Sequence, residues 1–125
     1  ILGSFSFFFI IFTIFIFSYS EVLNAAEIDN STLIKKVSKD YTKKFCNAIG
    51  FGLSKESAMN FSYEENKQVF KKRKAISNVN KELLAEEIAS SVIEDCGYPI
   101  NLSGEAGVLE FKNYYLAKDK ESSME

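Results

Sequence analysis

Hydrophobic positions along the chain follow two patterns. Up to Phe17 they are nearly continuous, and from Ser31 onward they recur every three or four residues. The run Phe7–Phe12, continued through Ile14–Phe17 past Thr13, matches the roughly 7–15-residue apolar centre of a secretory signal. A spanning helix needs about 20 residues, and even the stretch from Ile1 to Tyr19 includes Gly3, Ser4, Ser6, Thr13 and Ser18. Small-residue cleavage sites follow at Ser18-Tyr19-Ser20 and at Leu23-Asn24-Ala25-Ala26. Residues 1–26 are therefore expected to be a cleaved signal peptide, with an uncleaved membrane anchor in residues 1–19 as the alternative. A buried core helix is disfavoured, because a segment built of Phe and Ile has no polar face to show water.

The second pattern predicts helices. Ile34, Val37, Tyr41, Phe45 and Ala48 trace one stripe, with Ser31 or Thr32 placed to cap its start and Gly50 and Gly52 to stop it. A second helix is expected from the cap Ser54 to about Lys74. Ala58, Phe61 and Val69 lie on one of its sides and Met59, Tyr63 and Phe70 on the other, which reads as a middle helix with two packed edges. The third begins at Asn80, where Val79 and Leu84 can form a hydrophobic staple; Leu84, Ala85, Ile88, Val92 and Cys96 share a face, and Gly97-Tyr98-Pro99 ends it. Beyond it, Val108, Phe111 and Tyr115 suit a short helix, but Val108-Leu109 and Tyr114-Tyr115 suit extended chain as well. Residues 118–125 hold no apolar anchor except Met124 and are expected to be a disordered tail.

The fold expected is thus all-α: a small bundle of three helices, or of four if the C-terminal segment coils, occupying residues 27–117 behind the N-terminal hydrophobic segment. The 125 residues leave room for one such domain. Composition narrows the chemistry. There is no histidine, which removes Ser-His-Asp and Cys-His catalysis, His-ligated metals and CxxCH haem attachment. Lys and Arg total 15 against 17 Asp and Glu, a net charge of -2, so a nucleic-acid partner is not expected. Asn30, Asn60 and Asn101 each open an N-x-[ST] triplet, a match that an Asn- and Ser-rich chain produces by chance. Nothing implies a metal or other cofactor.

Cys46 and Cys96 are the two cysteines of the chain. They form no CxxC pair, and two thiols without histidine make a poor zinc site. An even count in an exported chain points to a disulfide. A loop of this length would stabilise the domain by about 4 kcal/mol in the chain-entropy model. Both residues stand near the ends of their helices, which meet if helices one and three run parallel, the natural outcome of an up-down-up order. Cys46 nevertheless lies off its helix's apolar stripe, on the side of Thr42 and Ile49, so two free thiols or a reactive cysteine stay open as alternatives.

Other clusters have structural readings beside functional ones. The basic run Lys71, Lys72, Arg73 and Lys74 invites a nucleic-acid or anionic-lipid reading, but at a helix C-terminus it complements the macrodipole. Glu82, Glu86, Glu87, Glu94 and Asp95 make a solvated acidic face on the third helix, with Glu94 and Asp95 able to pair with the basic run if the two helices are antiparallel. Tyr98, Phe111, Tyr114 and Tyr115 form an aromatic set expected to cover the open side of the core, or alternatively to dock another protein.

The stretch FCNAIGFGLSKESAMNFSYEENKQVF, with IEDCGYPI downstream, resembles small exported proteins of unknown function in marine picocyanobacteria. The resemblance implies a periplasm or thylakoid lumen, both oxidising enough for a disulfide, and it carries no catalytic residue. Taken together, the expectation is a non-enzymatic exported accessory or interaction protein of a membrane or envelope assembly, whose partner is a protein or membrane complex. A small-ligand-binding helical protein and a membrane-anchored form of the same domain are the alternatives.

Overall fold

A computed structural model describes residues 30–124 of the chain. The proposed signal or anchor lies outside the described residues. Four α-helices make up the domain: α1 over 30–50, α2 over Lys55–Phe70, α3 over Lys81–Cys96 and α4 over Gly104–Ser123, with a short 3-10 turn at Lys74–Asn78 between α2 and α3. Among the described residues there is no strand.

The side-chain contacts fix the helix directions. Val37 and Tyr41 on α1 meet Asn66 and Met59 on α2 respectively, so these two helices are antiparallel. Thr42 and Cys46 on α1 meet Ser91 and Cys96 on α3 in the same order, so α1 and α3 are parallel. Tyr41 and Phe45 face Tyr115 and Phe111 on α4 in reverse order. The order is up-down-up-down, the simplest connection for four helices joined by short links.

Local sequence explains where each helix ends. Helix α1 closes in a Schellman motif: Gly52 takes φ 97°, its N–H reaches the Ile49 carbonyl (3.0 Å), and the Leu53 N–H reaches that of Ala48 (3.1 Å). After α3 the same motif recurs with Asn101, at φ 59°, as the left-handed residue. Its N–H bonds the Tyr98 carbonyl, and the Leu102 N–H bonds that of Gly97. Gly97 itself has an ordinary helical φ of -64°. Its need is steric, since a Cβ there would run into the Leu102 carbonyl oxygen and stand 2.6 Å from that of Ile93. The caps expected at Ser54 and Asn80 form: Ser54 accepts from the Ser57 N–H, and Asn80 from those of Glu82 and Leu83. Val79 and Leu84 are both buried, as the staple requires.

The core joins Leu33, Val37, Tyr41, Phe45 and Ala48 to Ala58, Met59, Tyr63 and Phe70, and to the α3 face Leu84, Ala85, Ile88, Ala89 and Val92, closed by Phe111 and Tyr115. Several expectations need correcting. Ser31 and Thr32 are inside α1, so neither caps it, and Leu33 rather than Ile34 is the more buried residue of that turn. Helix α2 stops at Phe70, not Lys74, and only its Met59–Tyr63–Phe70 side plus Ala58 is buried; Phe61 and Val69 are exposed. The segment after α3 is a full helix of 20 residues. It includes 118–123, expected as a disordered tail, which docks on α2: Tyr63 donates to Asp119 (2.7 Å) and Lys67 to Ser122 (3.0 Å).

Candidate functional site

Cys46 and Cys96 are bonded, with Cα atoms 5.7 Å apart and a sequence separation of 50. The bond joins the C-terminal ends of the two parallel helices, so whatever follows each cysteine is presented at one pole of the bundle. After Cys46 the Schellman turn carries Phe51, 86% exposed, and the half-exposed Leu53. After Cys96 the turn carries Tyr98, 97% exposed, with Pro99 also exposed. Two aromatic side chains therefore stand in water on adjoining turns whose stems are covalently tied. That placement costs the protein the burial of about 1.5–3 kcal/mol per large apolar side chain.

The other aromatics of the expected set are elsewhere. Phe111 and Tyr115 are core residues: Phe111 meets Phe45 edge-on at 5.1 Å between ring centroids, and Tyr115 meets Tyr41 at 5.5 Å and Tyr63 at 5.8 Å. Tyr114 is half-buried beside Phe111, with the Lys55 ammonium over its ring. So Tyr98 alone of the four is free to meet a partner, and it does not cluster with the rest. Phe51 and Leu53 were not singled out from the sequence. The signal was there, since an aromatic between Gly50 and Gly52 sits in a turn with no stripe to join.

The basic run is at the opposite pole. Lys71 caps α2 and bonds Gln68 (2.6 Å), Arg73 lies over the Phe70 ring (5.8 Å), and Lys74 opens the 3-10 turn. All four are exposed and follow a helix C-terminus, where their charge is favourable. They do not pair with Glu94 and Asp95. In antiparallel helices the end of α2 meets the start of α3, so that expected pairing is between opposite ends.

Titratable groups inside the bundle are phenols. Burial raises the Tyr41 pKa well above its ordinary value, reinforced by the neighbouring Tyr115 and Tyr114. Burial also raises Tyr115, and Tyr63 is raised by burial and by its hydrogen bond to Asp119. These groups stay protonated at neutral pH and serve as donors and packing surfaces rather than as bases. The acidic residues of α3 are all exposed, and no group of three or more potential ligands able to hold a metal ion occurs among the described residues. No helix among them is long and apolar enough to cross a membrane.

No family model matches the chain, and no curated protein or solved structure is significantly similar to it.

Proposed function

We propose that this chain is an exported, non-enzymatic accessory protein that docks another protein of a membrane or envelope assembly through the disulfide-tied pole formed by Phe51, Leu53 and Tyr98. The observation that carries the reading is the pair of almost fully exposed aromatics, Phe51 and Tyr98, held on one rigid end by Cys46–Cys96. Aromatic side chains of this kind are the usual anchors of protein interfaces, and fixing their stems lowers the ordering cost of binding. A disulfide fits an oxidising, exported location. The resemblance to exported picocyanobacterial proteins, and the apolar run before residue 20, point to a periplasm or thylakoid lumen.

A small-ligand pocket beneath the C-terminal aromatics is less well supported, because Tyr41, Phe45, Phe111 and Tyr115 pack against one another where that pocket would lie. The membrane-anchored form remains a variant of the same reading, since residues 1–19 lie outside the described residues. The test is purification of the native protein from its own membranes. The proposal expects a larger complex that dissociates to a free monomer when Phe51→Ser and Tyr98→Ser are introduced together. Recovery of the wild-type protein as a free monomer overturns it.

A further inference from the structure

Helices α3 and α4 leave a groove between them on the outside of the bundle, with a volume of about 560 Å³. Its floor is apolar: Ile93 and Val108 are half-buried, and Leu109 is 57% exposed. Leu83, also exposed, lies about one helical turn before Glu86 on α3. The rim is acidic. Glu86 and Glu94 border it on α3 and Glu105 on α4. Among the described residues Lys112 is the one cation lining it, and Glu82 holds it at 3.1 Å, which leaves the charge of Glu86, Glu94 and Glu105 unpaired there.

We infer that this groove binds a basic amphipathic helix of a partner protein. The inference rests on the reading of the chain as an interaction module, but it uses a face separate from the aromatic pole. Antiparallel helices form a straight trough into which a third helix packs at about 8–10 Å. From Glu86 to Glu94 the trough runs about 12 Å, a little over two turns of a helix. Apolar residues at i and i+3 or i+4 of the partner meet the single patch formed by Ile93, Val108 and Leu109. Glu86 and Glu94 are about 12 Å apart along α3. Lysine or arginine residues spaced by two turns along the flank of the partner helix would face both. An acidic partner is refused by the same carboxylates, so the rim selects as well as attracts.

The probe is a designed 18-residue peptide of leucine and lysine with leucines at i, i+3, i+4 and i+7, titrated into the disulfide-intact protein and followed by backbone amide shifts. The expected result is saturable shifts confined to residues 83–94 and 104–112. Binding should weaken about tenfold or more in the Glu86→Lys, Glu94→Lys double variant and in Leu109→Asn. These side chains are exposed, so the variants are expected to fold, and an unchanged amide spectrum outside the groove verifies it. Equal binding of a leucine–glutamate peptide, equal binding of a composition-matched peptide whose leucines do not align, or shifts located elsewhere overturns the inference. So does a salt-sensitive self-association through this face in place of peptide binding. If the peptide fails while Phe51 and Tyr98 still hold a partner, this inference falls alone. If the pole proves empty while the peptide binds, the function proposed above falls and the groove stands.

Discussion

Thr42 on α1 donates a hydrogen bond to Ser91 on α3 (2.8 Å) about one helical turn before Cys46 and Cys96 join the same two helices. A polar contact and a covalent bond thus lie along one seam between parallel helices. Cys46 is off the apolar stripe because α1 has a second packed face. Ser38 and Thr42 are buried there although they are polar, and Thr42 finds Ser91 as its partner. Opening the disulfide, by reduction or by Cys46→Ser with Cys96→Ser, is expected to lower the unfolding free energy by about 4 kcal/mol. Urea unfolding with and without reductant measures it. A change below about 1 kcal/mol would show that the bond is not a structural staple.

Ser62 is fully buried on α2, and its hydroxyl has no hydrogen-bond partner among the described residues. An unsatisfied buried hydroxyl costs about 1–3 kcal/mol. Ser62→Ala removes it, leaves almost no void and places a better helix former in mid-helix. The variant is expected to be more stable by about 1 kcal/mol. A thermal melt that shifts downward instead would mean that the hydroxyl is satisfied in solution.

The end of α4 carries weight that its composition hides. Asp119 accepts from Tyr63 (2.7 Å) and faces the Lys81 ammonium (3.4 Å), so one carboxylate links α2, α3 and α4. Deleting residues 118–125 should destabilise the domain by about 1–2 kcal/mol, because Tyr63 loses its charged acceptor. A truncated protein with an unchanged urea midpoint would show that the end of α4 is dispensable. Asp119→Asn keeps an acceptor oxygen and is expected to cost less than the truncation.

Alkaline pH should unfold the protein through its buried phenols. Tyr41, Tyr63 and Tyr115 all have raised pKa values in the fold, driven first by burial. Above about pH 10 the unfolded chain releases phenolic protons that the folded chain retains. The unfolded state then binds fewer protons, and stability falls as pH rises. Their contribution is complete below pH 10 and is lost as pH rises toward the folded values. Phenolate absorbance followed alongside circular dichroism is expected to show these tyrosines ionising together with loss of helix. Their ionisation within an intact fold just above pH 10 would contradict this account. Tyr63→Phe should make the decline shallower.

What the sequence reveals depends on whether periodicity or packing decides a position. Val37, Tyr41, Phe45 and Ala48 on α1, and Leu84, Ile88, Val92 and Cys96 on α3, sit at helical spacing and are buried where that spacing puts them. The Asn80 cap was legible for the same reason, since its chemistry is local. The end of α2 was not. No glycine or proline follows Phe70, and the helix stops there while the chain turns through Lys71–Arg73. Helix α4 was obscured by glycines at both ends of its first turn. Gly104 has φ 63°, and Gly107 is small because a Cβ there would stand 3.0 Å from the Leu102 backbone. Both features are set by the preceding turn rather than by any period in α4. At the candidate site, Tyr98 was recognisable by its place after the helix stop. The separation of Tyr98 from Phe111 and Tyr115 depends on the direction of α4, which no spacing encodes.

The central claim, that the disulfide-tied aromatic pole is a docking surface, is tested most directly by position-resolved photo-crosslinking in the native cell. A photoreactive side chain is placed in turn at positions 51 and 98, and at exposed position 72 on the opposite pole as a control. The account predicts one and the same discrete protein adduct from positions 51 and 98 and none from position 72. Absence of an adduct at both 51 and 98, or the same adduct from all three positions, would contradict it.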